Sequence, residues 1–156
     1  MSRKYQYKAQ LNIIGEGSNL ENVKKLADGR SNIVFHGRKQ AMDMAKFYKA
    51  SDFLIVSLID NPVFSATVPG KTQTYIAAKK PILAIINGET ADIVRDNNLG
   101  FYADPSNIKM ISKLFQECID MPDSQKEEFS INCKKLLKTT FNKEIITNRL
   151  TEDLTN

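Results

Sequence analysis

The stretch that decides the fold runs Val68-Pro-Gly-Lys-Thr-Gln-Thr-Tyr-Ile-Ala-Ala-Lys-Lys-Pro-Ile-Leu-Ala-Ile-Ile86. Pro69-Gly70 turns the chain and delivers Lys71 to the start of a short helix, predicted over Gly70 to Lys79. Lys79, Lys80 and Pro81 end that helix, because proline cannot continue it. A fully apolar strand, Pro81 to Ile86, follows at once, and Asn87-Gly88 turns the chain again. The N–H groups of a helix's first turn lack intrahelical partners and carry partial positive charge. This loop, helix and strand therefore offer a seat for a phosphate. A plain surface helix with proline at its start fits the same residues.

Outward from this unit the same alternation repeats. Gln10 to Ile14 is a short apolar strand closed by Gly15-Glu16-Gly17. Asn19 to Leu26 reads as a helix with Leu20, Val23 and Leu26 on one face, and Asn32 to His36 as a β-branched strand ending at Gly37. Lys39 to Ala50 is helical, with Ala41, Met44, Ala45 and Tyr48 at helical spacing, and Asp52 to Leu58 is a nearly all-apolar strand. Downstream come a helix over Glu89 to Asn97 and a short strand over Gly100 to Ala103. Apolar strands alternating with helices imply a parallel sheet covered on both faces. Right-handed crossovers make it an α/β, Rossmann-like doubly wound sheet, with Asp52 to Leu58 expected at its centre. Ligands of such sheets bind beyond the carboxyl ends of the strands. Here those ends are Gly15 to Gly17, Gly37 to Lys39, Ile59 to Lys71, Asn87 to Glu89 and Ala103 to Ser106. The connection from Ile59 to Pro69 is the longest and carries Asp60-Asn61-Pro62 and Phe64, as a functional loop would.

Residues 107–156 form a helical tail. Ile108, Ile111, Leu114, Phe115 and Cys118 share one face, and Ser124-Gln-Lys-Glu127 reads as a capping box. A last helix, capped by Asn142, would turn Ile145, Ile146, Leu150 and Leu154 toward a neighbouring chain or leave them partly exposed.

A chain of 156 residues fits one domain around one core. No apolar run approaches the roughly 20 residues of a membrane span, and the N-terminus has no signal-peptide pattern. Cys118 and Cys133 sit at apolar positions of helical patterns, as reduced core residues of a cytoplasmic protein would. With one histidine in the chain, no metal site is expected. The net charge of +4 comes from scattered lysines without the arginine and aromatic interleaving of a nucleic-acid surface. It suits an anionic small ligand or contact with an anionic membrane face.

Two nucleotide-binding motifs fail. Gly15-Glu-Gly17 starts like a dinucleotide fingerprint, but Leu20 occupies the third glycine position and no acid closes the next strand. Gly70-Lys71-Thr72 resembles the end of a P-loop, but Ser65 stands at the earlier glycine and no strand runs directly into it.

Taken in order, Leu11 to Gly17, Asn32 to Gly37, Ala45 to Leu58, Thr67 to Lys71, Tyr75 to Ala84 and Asn87 to Val94 resemble the C-terminal half of a GT-B glycosyltransferase. The likeness is to the family 4 or group 1 type that builds surface polysaccharides, with the flavour of the N-acetylfucosamine transferases, and it covers roughly residues 9–106. The resemblance implies a donor-binding domain whose substrate is a nucleotide sugar, uridine-linked, with no separate cofactor. It places Arg38 and Lys39 beside the nucleobase, and Pro69, Gly70, Lys71 and Thr72 at the diphosphate. Gly15, Gly17 and Gly88 belong to the strand-end loops of the same site. The family's ribose-binding glutamate, seven positions before Pro81, is replaced by Thr74, and the earlier glutamate of the pair by Ala66. Threonine offers one hydrogen bond where a carboxylate would hold a diol with two oxygens.

The resemblance also implies a strand and helix before Leu11, and an N-terminal acceptor domain. The expectation is that these 156 residues are a single donor-binding domain without that partner. It would not turn over alone, and no residue in it is assigned a catalytic role. The parent enzyme would work in the cytoplasm, at the inner membrane face. Loss of both glutamates leaves an alternative, a noncatalytic module kept for protein interaction or regulation. His36 reads as a hydrogen-bonded strand end, Glu16 as a solvated turn residue and Tyr75 as core.

Overall fold

The structure, a computed structural model, describes residues 8–58 and 67–140. Five short parallel strands alternate with helices, as the periodicity predicts. They are β1 (Leu11–Ile13), α1 (Leu20–Ala27), β2 (Ile33–Phe35), α2 (Ala41–Ala50), β3 (Leu54–Ser57), α3 (Gly70–Ala77), β4 (Ile82–Ile85), α4 (Glu89–Asp96), β5 (Gly100–Ala103), α5 (Ile108–Asp120) and α6 (Asp123–Thr139). Among the described residues the strands form two sheets. β1 pairs with β2, with Leu11 opposite Ile33, and β3, β4 and β5 form a three-stranded sheet with Leu54 opposite Ile82 and Ile82 opposite Gly100.

The centre of the larger sheet is thus β4, and not the strand at Asp52 to Leu58. Uniform apolarity marks burial on both faces, which β3 and β4 share, so it does not rank them. Along β3 to β5 the side chains alternate between two cores. Val56, Ile82, Ala84 and Ile86 face Ile76 of α3, Val94 of α4, and Cys133 and Leu136 of α6. Leu83 and Ala103, with Phe53, Ile55, Ile85 and Phe101 around them, face Leu114 and Cys118 of α5. Helices cover both faces, as a doubly wound sheet requires. Gly100 is fixed by this packing. Its φ is +149°, and a Cβ there would lie 2.1 Å from the carbonyl oxygen of Ile82.

Several sequence expectations shift for physical reasons. Leu26 and Ile108 are exposed, because each sits at a helix end beyond the packed stripe, and Ala27 takes the buried place in α1. In α2 nothing is fully buried, and the half-buried residues are Asp43, Met44, Phe47 and Tyr48. The capping box at Ser124 does not form. α6 starts two residues earlier, with Pro122 in the cap position and no side-chain cap, and Lys126 pairs with Asp123 and Asp52 instead. Among the described helices α5 has a side-chain cap, the Asn107 side chain accepting from the N–H of Met110. Cys118 and Cys133 are buried free thiols, as expected. The loop Ile59 to Ala66, where Asp60, Phe64 and Ala66 fall, lies outside the described residues, as does the expected helix after Asn142. No helix among the described residues is long and apolar enough to cross a membrane.

Candidate functional site

Within each sheet the parallel strands point their carboxyl ends one way, so the loops after β1 and β2 leave one end of the smaller sheet and those after β4 and β5 one end of the larger. α3 starts at Gly70. Pro69 precedes it in extended backbone, with φ −57° and ψ 140°, and no side chain caps it. The first turn contains no acid, and Lys71 is exposed with no carboxylate paired to it among the described residues. Thr72 is fully buried, and its hydroxyl has no hydrogen-bond partner among the described residues. Its N–H closes the turn on the Pro69 carbonyl at 2.8 Å.

The start of α4 differs. Gly88, at φ 82° and ψ −153°, leads into a first turn holding Glu89 and Asp92. Those carboxylates already complement the positive end of the helix, so a phosphate is favoured at α3 and disfavoured at α4. Thr90, in that same turn, is also buried, its hydroxyl without a partner among the described residues. An unsatisfied buried hydroxyl costs about 1–3 kcal/mol, so two of them, each in the first turn of a helix, need a reason.

The loops after β1 and β2 are tied to each other. The N–H of Gly15 donates to the Gly37 carbonyl at 2.9 Å, and Glu16 accepts from the N–H of Arg38 at 3.4 Å. Glu16 therefore braces the neighbouring loop, a role beyond that of a solvated turn. His36 shares a hydrogen bond with the Asn12 side chain at 2.8 Å and sets its ring edge-on against Phe47 at 5.0 Å, a structural role. Gly17, Arg38 and Lys39 are exposed on these loops. The expected residues thus fall on two units, Gly15, Gly17, Arg38 and Lys39 on the loops after β1 and β2, and Pro69 to Thr74 and Gly88 at the starts of α3 and α4. Among the described residues no hydrogen bond runs between them.

With this geometry in view, comparison with known proteins decides the family. The model of the group 1 glycosyl transferases matches residues 1–136. The chain belongs to that family. It is also similar to a Pseudomonas aeruginosa protein named probable glycosyltransferase WbjE, at 28% identity over 118 residues. That match takes in 73% of this chain and 29% of the relative, so the chain spans under a third of that relative's length.

In this group 1 chain the Thr74 hydroxyl does not stand ready for a ligand. It donates to the Gly70 carbonyl at 2.9 Å, one turn back within α3. Tyr75 is half-buried against the core and edge-on to Tyr48 at 5.7 Å, and burial pushes its hydroxyl pKa up. Sequence reading did not single out Asp104, just past β5. Its carboxylate takes both the hydroxyl and the N–H of Ser106, at 2.6 and 2.7 Å, and the Asn87 amide at 3.5 Å. The Ser106 bonds hold the carboxyl below its usual range. Asp104-Pro-Ser106 was the available signal, a turn-forming triplet directly after a strand. Thr90 had no signal, because its burial depends on the packing of α4. Among the described residues no group of three metal-ligating side chains comes together.

Proposed function

We propose that this chain is the donor-binding part of a glycosyltransferase. It would hold a nucleoside diphosphate sugar, uridine-linked, for transfer to a glycan or lipid-linked acceptor in surface polysaccharide synthesis, as the N-acetylfucosamine transferases do. The observation that carries the reading is the start of α3. It is an acid-free, uncapped helix N-terminus at a strand's carboxyl end, with Lys71 exposed on it and the unpartnered Thr72 hydroxyl buried within it. Such a terminus suits a diphosphate. It also suits the charge that grows on a leaving diphosphate as the glycosidic bond breaks, which is how it would assist transfer. Arg38 and Lys39 would border the nucleobase, with Gly15, Gly17 and Gly88 letting backbone approach the donor. Acceptor-side groups would come from polypeptide beyond these residues, working at the cytoplasmic face of a membrane.

One observation favours a second reading. Thr74 stands where the family carries a ribose-binding glutamate, and its hydroxyl is engaged inside α3. A noncatalytic module kept for protein interaction would show that loss. Titration with uridine diphosphate, followed by backbone amide shifts, separates the two. Donor binding predicts shifts at Gly70 to Thr72, with smaller ones at Arg38 and Lys39. No shift at saturating nucleotide would leave the noncatalytic module.

A further inference from the structure

The Asn87-Gly88 pair between β4 and α4 carries a reactivity of its own. Of the chain's asparagines, Asn87 alone precedes a glycine. The side-chain carbonyl carbon of an asparagine can close a five-membered ring with the backbone nitrogen of the next residue. Two things ordinarily prevent it. A side chain on the next residue obstructs the approach, and a hydrogen bond holds its N–H in place.

Neither protection is present at this pair. Gly88 has no side chain, and its φ of 82° with ψ of −153° is a backbone state that essentially only glycine adopts. Its carbonyl accepts from the N–H of Asp92 at 3.1 Å, but its own N–H donates to nothing among the described residues. Both residues are half-buried, so water reaches them. The Asn87 amide nitrogen donates to Asp104 at 3.5 Å, and among the described residues its side-chain oxygen accepts no bond. Other asparagines are better defended. Asn107 precedes Ile108, and its side-chain oxygen accepts from the N–H of Met110 at 3.0 Å. Asn98 precedes Leu99, whose N–H donates to the Val94 carbonyl at 2.9 Å.

We propose that Asn87-Gly88 is a self-modification site of the folded chain. The Gly88 nitrogen attacks the Asn87 side-chain carbonyl carbon and forms the new N–C bond of a succinimide ring. The bond from that carbon to the amide nitrogen breaks, and the Gly88 proton leaves with that nitrogen as ammonia. Water then opens the ring. Opening at the side-chain carbonyl leaves aspartate at position 87. Opening at the backbone carbonyl leaves isoaspartate, which adds one carbon to the main chain between β4 and α4. Either product sets a carboxylate against Asp104 where an amide donor stood, close in sequence to Glu89 and Asp92 of the first turn of α4. The claim rests on this turn and is independent of donor binding.

The test is incubation of the full chain in mildly alkaline buffer, followed by peptide mapping with mass spectrometry. The peptide holding Asn87 should gain about 1 Da and become a substrate for an isoaspartate methyltransferase. Asn87 should convert roughly tenfold faster than Asn98 or Asn107, where the next side chain obstructs the ring. Asn87→Gln keeps an amide but must close a larger ring, and it should abolish the methyl-accepting peptide. If that variant fails to fold, the map of the unaltered chain, run folded and in urea, decides. Comparable conversion in the two states supports the proposal. An intact Asn87 in the folded chain, with conversion only in urea, would overturn it, as would equal rates at Asn87 and Asn98.

Discussion

The two sheets of this molecule are built by the same alternation and end up unequally packed. In the β3–β4–β5 unit, Ile82 and Ala84 are completely buried and Leu83 is 1% exposed. In the β1–β2 unit no strand residue is buried, and in the segment from Leu11 to Phe35 only Ala27 and Asn32 are. Apolar sequence alone does not make a core. It makes one where both faces find a partner, and the three-stranded unit has helices on each side while the two-stranded one belongs to neither buried cluster and meets α2 through the His36–Phe47 ring contact. The candidate site residues divide between the two units. The proposed diphosphate seat stands on the rigid unit, and Arg38 and Lys39 stand on the loosely held one.

The strongest break of this contrast is at Gly100. Its φ is +149°, and a side chain there would strike the backbone of Ile82 in the neighbouring central strand. Gly100→Ala should cost on the order of 3 kcal/mol or more and leave little folded protein, as read by urea denaturation. Next, Leu83→Ala in β4 should destabilise by about 2–5 kcal/mol, the usual range for emptying a core leucine site. Val34→Ala in β2 should cost about 1 kcal/mol or less, because that side chain is only half-buried. Equal losses at the two positions would erase the distinction between the units.

A smaller effect sharpens the same contrast through pH. Burial pushes the thiol pKa of Cys118 up to about 12 and that of Cys133 up to about 11, from 9.0. The folded state thus holds those protons more tightly than the unfolded one. Their contribution is fully present below pH 9 and is lost as pH rises through 11 to 12. Stability of the three-stranded unit should therefore fall across that window, and a thiol reagent at neutral pH should label neither cysteine until the chain unfolds. Rapid labelling of native protein would show that the core around α5 and α6 opens readily.

Element type was legible throughout the described chain, because a continuous apolar strand and a 3.6-residue stripe leave distinct patterns. Sheet order was less so. The sequence of β3 announces burial on both faces, but which strand lies beside it is a property of the whole topology. Helix ends misled where a residue fitted the stripe yet lay past the packing partner, as Leu26 and Ile108 do. Of the candidate site, the helix start at Gly70-Lys71 was legible. The buried hydroxyls of Thr72 and Thr90 were not, since threonine in a first turn is ordinary and only packing takes it out of water. The brace from Glu16 to Arg38 likewise links loops 22 residues apart and has no local signature.

The account's central claim is that α3 begins at a diphosphate seat. Calorimetry with uridine diphosphate on the unaltered chain, Lys71→Ala and Thr74→Glu tests it most directly. A charge-assisted contact to phosphate is worth about 1.5–3 kcal/mol, so Lys71→Ala should weaken binding roughly 10- to 100-fold without unfolding the domain. Thr74→Glu, which restores a two-oxygen acceptor for the ribose, should tighten it. Equal affinities across the three proteins would contradict the claim.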